Sequence, residues 1–353
     1  MTIFNNRNKA YKKDIKGMLE VLNKLRLNNG FYKASTGSEY HYTWLRDNFY
    51  CSIPELWNNP KKYIQTYRTW IDYYKVVERK YNKFSALIAK GKIDHAYEFP
   101  NVRINLDLTE TIAGWNHVQI DTIGYFLFGI GTGEDANLEV IRDEIDLDIV
   151  NKAIQMLDAI QYYKVSECGA WEENNENPRA SSIGSIVAGL KLLKKVEDRL
   201  HIGLEIPEHL ITKGEEVLNN ILPKETPTRD YDLTQLFLIY PFNIVTKEME
   251  DIIINNINTY LLKENGVIRY LGDKYYNING EAEWVMGLAY LGIIYYKQGE
   301  KLKAKHMYNK IMKTSIDYNI PELYYSGTSK KNENSPLGWS IGLTIELAHL
   351  LCK

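Results

Sequence analysis

The sequence predicts an all-α protein folded as an (α/α)6 barrel, and two observations carry that prediction. Hydrophobic residues recur at the 3.6-residue period through nearly the whole chain, with little sustained alternation of period two. The helical segments also alternate in kind. One carries charge along a face; the next is apolar around most of its circumference and opens on a polar–aromatic cluster.

Twelve segments fit the helical period. The first, 9–27, contains KKDIKGMLEVLNKLR and reads as an outer helix. The second, 44–58, follows YHYTWLRDNFY, and the third, 61–79, begins behind Pro60. The fourth, 115–130, opens on GWNHVQIDTIG and stops at GTGED; the fifth is 147–164. The sixth, 179–197, runs through SSIGSIVAGL after CGAWEENNENPRASS. The seventh, 207–221, opens on Pro207, and the eighth, 231–240, has Asp230 or Asp232 near its start and the weaker cluster TRDYDLTQ. The ninth, 247–262, stops at KENG. The tenth, 281–298, carries VMGLAYLGII behind VIRYLGDKYYNINGEAEW. After 300–318, the twelfth, 338–352, follows IPELYYSGTSKKNENSPLGWS. The region 80–110 has the weakest pattern. No Pro/Ser-rich linker or solenoid repeat divides the chain, so residues 1–353 read as a single domain.

Outer and inner helices, six of each, describe a barrel in which every even-numbered start points to one end. The clusters then line one cavity. An α-solenoid with aromatic-rich loops is the alternative.

Composition excludes several function classes. A formal charge of −2 offers no footprint for nucleic acid or an anionic membrane. No run approaches the ~20 apolar residues needed to span a bilayer, and the start lacks a signal-peptide core. Cys51, Cys168 and Cys352 have no metal-like spacing and an odd count, which suits a reducing compartment. The expectation is a soluble, cytoplasmic protein, with its oligomeric state left open. Tyrosine (27) and tryptophan (7) far outnumber phenylalanine (9), so most aromatic surface carries a polar tip. That suits a sugar site, and it also suits an AT-rich genome.

Hydrolysis of a glycosidic bond needs two carboxyl groups, one protonated and one ionised. The clusters supply Asp47, Asp121, Glu172, Glu173, Asp273, Glu281, Glu283 and Glu322. Any lone Glu ahead of a helix also reads as an N-terminal cap. Glu172 stands out because Trp171 can dehydrate it and Glu173 adds like charge. Arg46 beside Asp47 offers fixed donors and acceptors for sugar hydroxyls, or a structural ion pair; Arg269 with Asp273 and Tyr275 repeats the theme. His41, His95 and His117 lack metal spacing, GIGTGED lacks the lysine of a phosphate loop, and no nucleophile elbow is present.

Taken together, YHYTWLRD, WNHVQID, GAWEE with ASSIG, LFLIYPF, VIRYLGDKYY, EAEW and PELYYSGTSKKNENSPLGW resemble glycoside hydrolase family 15, including its relatives among the phosphorylase kinase α and β subunits. The matches fall in the family's order from residue 40 to 340. The resemblance implies an (α/α)6 barrel, a general acid at Glu172 and a water-activating base at Glu322. It implies a grip on the terminal glucose by Arg46, Asp47 and Arg269, and a leaving-group contact at Glu173. It further places Tyr40, Trp44, Trp115, Gln119, Asp121, Trp171, Tyr275 and Trp339 at the substrate pocket, and implies neither metal nor cofactor. The expected activity is an inverting, exo-acting α-glucosidase on short malto- or isomalto-oligosaccharides. No β-sandwich or starch-binding module accompanies the barrel, which disfavours long polysaccharides. The rivals are a regulatory, non-catalytic barrel, another linkage such as trehalose, and a scaffold without a pocket.

Overall fold

The computed structural model describes residues 2–37, 40–89, 99–112, 114–173 and 177–353. His95 and positions 174–176 of the Asn-rich cluster lie outside the described residues. In chain order the helices are α1 (Thr2–Leu25), α2 (Leu45–Ser52), α3 (Glu55–Asn58), α4 (Pro60–Val76), α5 (Glu78–Ala89), α6 (Asp121–Asp135), α7 (Glu144–Ala159), α8 (Ala180–Leu200), α9 (Glu208–Ile221), α10 (Gln235–Ile239), α11 (Lys247–Asn256), α12 (Val285–Lys297), α13 (Lys301–Thr314) and α14 (Gly338–Cys352).

Six of these close a ring. α2 packs on α6, α6 on α8, α8 on α10, α10 on α12, α12 on α14, and α14 back on α2. The closure of α14 onto α2 rules out the open solenoid. Outside the ring, α4 packs on α2 and α6, α9 on α8, α11 on α10, α13 on α12 and α14, and α1 on α14, while α7 packs on α4 and α5.

The two layers follow from side-chain pattern. In α12 every residue from Val285 to Tyr295 is buried, and in α14 every residue from Gly338 to Ile345. Only a helix covered on all sides can bury such a run, and each fully buried aliphatic side chain contributes roughly 2 kcal/mol. In α13 only Ala304, Met307, Tyr308 and Ile311 are buried, which is one stripe at helical spacing. Small residues set how closely the ring packs. A Cβ on Gly124 of α6 would stand 2.6 Å from the Ser185 carbonyl carbon and 2.7 Å from the Ile186 nitrogen in α8. A Cβ on Gly342 of α14 would stand 2.3 Å from the Tyr50 carbonyl oxygen in α2. Only glycine permits either approach.

Four expectations shift in detail. The segment 44–58 breaks at Ile53 and Pro54 into α2 and α3. The fourth helix starts at Asp121, leaving Trp115 to Ile120 ahead of it as non-helical backbone. The eighth shortens to Gln235–Ile239. An extra outer helix, α5, occupies part of the region whose pattern was weakest. Four two-residue strands also pair at the helix entrances: β1 (Thr43–Trp44) with β2 (Arg103–Ile104), and β3 (Glu283–Trp284) with β4 (Leu323–Tyr324), both antiparallel. No described helix is long and apolar enough to cross a membrane.

Candidate active site

The six ring helices all begin at one end, and there the entrance segments surround a cavity of ≈ 730 Å³. β1 leads directly into α2, so Arg46 and Asp47 occupy the first helical turn and stay buried beneath Trp44. β4 follows Glu322, and the Val285 amide at the start of α12 donates to the Glu322 carbonyl. The paired strands thereby fix the entrances of α2 and α12 against neighbouring loops.

The floor is aromatic. Trp339 stacks on Tyr50 at 4.6 Å and 8°, and Phe237 and Tyr290 pack beneath at 5.7 Å from Trp339 and 5.9 Å from Tyr50 respectively. Trp171 lies 6.2 Å from Trp339 and 5.5 Å from Trp284, and its indole N–H donates to Asp232 at 2.9 Å. These rings seal the inner end of the ring of helices.

Of the residues singled out in the sequence, Tyr40, Trp44, Arg46, Asp47, Trp115, Trp171, Glu172, Glu173, Arg269, Tyr275, Glu322 and Trp339 line this one cavity. Gln119 and Asp121 do not. They lie behind Arg46, whose Nη1 donates to the Gln119 amide oxygen at 3.4 Å and to the Ala170 carbonyl at 2.5 Å. Burial pushes the Asp121 carboxyl up to about 6 against the pull of Arg46. Two further acidic candidates brace loops. Glu281 accepts from the Gly272 amide, and Glu283 from the amides of Asn265 and Gly327. Asp273 lines the cavity and holds Arg269 through two bonds of 2.6 and 2.7 Å.

The tandem acids diverge. Glu172 adopts φ 61°, a left-handed conformation that costs an ordinary side chain ~1 kcal/mol, and this turn sends its neighbours apart. Glu172 Oε1 sits 3.4 Å from Arg46. Glu173 instead accepts from Tyr270 at 2.5 Å and Arg229 at 2.8 Å. These contacts hold its carboxyl below the usual range although burial acts the other way. Its charge is thus answered by Arg229. The Trp171 ring faces Arg269 at 5.1 Å and forms floor more than a wall against Glu172.

Glu322 is 3 % exposed and fully hydrogen-bonded: Tyr40 donates at 2.7 Å, Asn332 at 2.5 Å and Asn334 at 2.8 Å. Burial raises its pKa, and the three donors, which favour the ionised form, offset part of that rise. Asp47 is pushed up to about 7 by burial, partly countered by Arg46 and reinforced by Glu172 and Glu322. Asp47 therefore sits within electrostatic reach of both glutamates.

Sequence reasoning missed Arg103, Arg229, Tyr270, Trp284, Asn332 and Asn334. The asparagines had a signal. In SKKNENSP they alternate, so an extended chain turns both to one side. Arg229 stood in the cluster TRDYDLTQ without an identified partner, and Arg103 stood where the pattern was weakest. Among the described residues no cluster of three His, Cys, Asp or Glu side chains could hold a metal ion.

Comparison with known proteins places the chain. The model for glycosyl hydrolases family 15 matches residues 27–278. A probable phosphorylase b kinase regulatory subunit alpha of Caenorhabditis elegans is 26% identical over 184 residues, covering 48% of this chain; the match spans 15% of that relative's length. A solved glycosidase superposes with a TM-score of 0.85 at 19% identity, covering 98% of each chain. A single-residue glycosidase variant in complex with glucose gives the same score at 18% identity, again covering 98% of each. Glucoamylase of Hormoconis resinae gives a TM-score of 0.65 at 12% identity, over 98% of this chain and 73% of that one. The matched span, the ring of six inner helices and the shared glycosidase architecture make this chain a member of glycosyl hydrolases family 15.

Proposed function

We propose that the protein is an inverting, exo-acting α-glucosidase that releases glucose from the non-reducing ends of short α-glucosides. The observation that carries this is the meeting of Glu172 and Glu322, 150 residues apart in sequence, on one sealed-bottomed cavity that Arg46, Asp47 and Arg269 also line. A cavity closed at its inner end by Trp339, Tyr50 and Phe237 admits a chain end and excludes a chain middle, which supports exo action. The glucose-bound glycosidase of similar fold supports a glucosyl unit as the one held at the floor.

In this reading Glu172 donates its proton to the glycosidic oxygen as the bond to the anomeric carbon breaks. Glu322 takes a proton from a water that attacks that carbon from the opposite face. Tyr40, Asn332 and Asn334 hold the Glu322 carboxylate in one orientation, so ordering it costs little at the moment of reaction. Arg46 and Asp47 grip hydroxyls of the terminal sugar, and Asp273 aims the guanidinium of Arg269. Glu173, steadied by Arg229 and Tyr270, contacts the leaving sugar.

A non-catalytic regulatory barrel is the second reading, favoured by the similarity to a kinase regulatory subunit; the carboxylates at both positions argue for catalysis. The test is release of glucose from maltose, isomaltose and trehalose, with the first-formed anomer followed by NMR. β-Glucose is expected, with a loss of at least ~100-fold in Glu172→Gln and Glu322→Gln. Initial α-glucose overturns inversion, and an inert wild type that still binds sugar establishes the regulatory reading.

A further inference from the structure

Among the described residues one arginine of the cavity wall has no carboxylate at ion-pair distance. Arg46, Arg103, Arg229, Arg269 and Lys274 line the cavity. Arg46 stands 3.4 Å from Glu172, Arg229 2.8 Å from Glu173, and Arg269 2.6 Å from Asp273. Lys274 is exposed and solvated. Arg103 is only 7 % exposed, and among the described residues its guanidinium has no carboxylate at ion-pair distance and no hydrogen bond. Its Nε is sealed from solvent with no partner. Burial disfavours this cation, and the more distant Glu172 and Tyr42 offset only part of that cost; guanidinium keeps its charge, so an arriving anion gains there.

The position of Arg103 is built. Its residue pairs with Trp44 across the β1–β2 ladder. Its guanidinium lies 3.6 Å from the Trp115 ring centroid and 4.4 Å from that of Tyr42. With its faces covered by rings, the group can meet a ligand only through its in-plane N–H edge, the geometry that takes a carboxylate or phosphate in a fork. Trp115 and the neighbouring Asn116 also border a second cavity of ≈ 660 Å³, and Glu172 lines both. In the glucosidase reading Glu172 faces the glycosidic oxygen, so what lies on this side of it belongs to the leaving group.

We propose that Arg103 binds an anionic substituent, a carboxylate or phosphate, on the leaving-group part of the substrate. The proposal rests on the glucosidase reading for the identity of that part. Two matched pairs of probes test it: maltose against maltobionate, whose leaving group is gluconate, and trehalose against trehalose 6-phosphate. The expected result is a kcat/KM favouring the anionic member of at least one pair by roughly ten- to hundredfold, the value of a charge-assisted hydrogen bond. Arg103→Met should collapse that ratio, and Arg103→Lys should keep part of it, with thermal melts confirming that both variants fold. The pair that shows the preference tells carboxylate from phosphate.

A wild type favouring the neutral member of both pairs overturns the proposal, as do equal losses for both members in Arg103→Met. So does a displaced pH profile on the neutral sugar, which makes Arg103 a positioning residue acting through Glu172. If none of the four sugars is hydrolysed, calorimetric binding of the same sugars decides the proposal, and the glucosidase reading falls only if isomaltose is inert as well. Tighter binding of an anionic sugar that is lost in Arg103→Met sustains it, and equal binding ends it.

Discussion

Tyr40→Phe isolates the electrostatics of the proposed base. The substitution keeps the ring that packs 5.0 Å from Trp44 and removes only the hydroxyl that donates to Glu322 at 2.7 Å. Glu322 is buried, and its ionised form is held by three donors against desolvation. A hydrogen bond to a charged group contributes about 1.5–3 kcal/mol, and each pH unit corresponds to about 1.4 kcal/mol, so the Glu322 pKa should rise by roughly one to two units. A base must be ionised to work, so the rate falls as pH drops through that pKa. The acid limb of kcat/KM should therefore move upward by roughly one to two pH units. Well below the new pKa the rate should be roughly ten- to hundredfold lower than wild type, and at higher pH the deficit should shrink. The assay is glucose release from the best of the three disaccharides across pH 4–8. A uniform loss at every pH, with the limb unmoved, would refute this reasoning and make the Tyr40 hydroxyl a substrate contact instead.

Two further outcomes concern stability. Gly124→Ala forces a Cβ against the backbone of α8, so the ring must open there; a loss of ~1–3 kcal/mol is expected, read as a lower denaturation midpoint. Burial lifts several carboxyls, among them Asp47 and Glu167 to about 7, Asp121 to about 6 and Glu225 to about 8. With folded pKa values above unfolded ones, the native state binds more protons between about pH 4.5 and 8. Stability should then fall as pH rises through that window, the reverse of the usual carboxylate case, and the melting temperature should be lower at pH 8 than at pH 5. Glu225→Gln, at the buried carboxylate that accepts from Ser181 at the start of α8, should flatten that dependence; an unchanged slope assigns it to the other raised carboxyls.

The architecture was legible because it follows from local patterning. A helix apolar on all sides must lie inside, a helix with one apolar stripe must lie outside, and strict alternation of the two leaves a closed ring as the compact solution. The same logic brought the clusters to one end, and twelve of the fourteen site positions do line one cavity. Gln119 and Asp121 escaped it because their helix begins six residues later than periodicity suggested. Ile120 and its neighbours are apolar enough to continue a helical pattern, while the backbone there instead accepts from side chains such as that of Thr122.

Partnership is what the chain alone could not decide. Adjacency in sequence said that Glu172 and Glu173 repel, but a left-handed turn at Glu172 gives each its own arginine, one 126 residues upstream and the other 56 downstream. Whether a carboxyl is buried with donors, like Glu322, or braces a loop, like Glu283, depends on contacts made only when the ring closes. Helix type is written by the spacing of apolar residues within a dozen positions. The charge state of a side chain depends on desolvation and on groups brought together from distant segments, so the barrel belonged to the sequence and the electrostatics of its cavity to the tertiary structure.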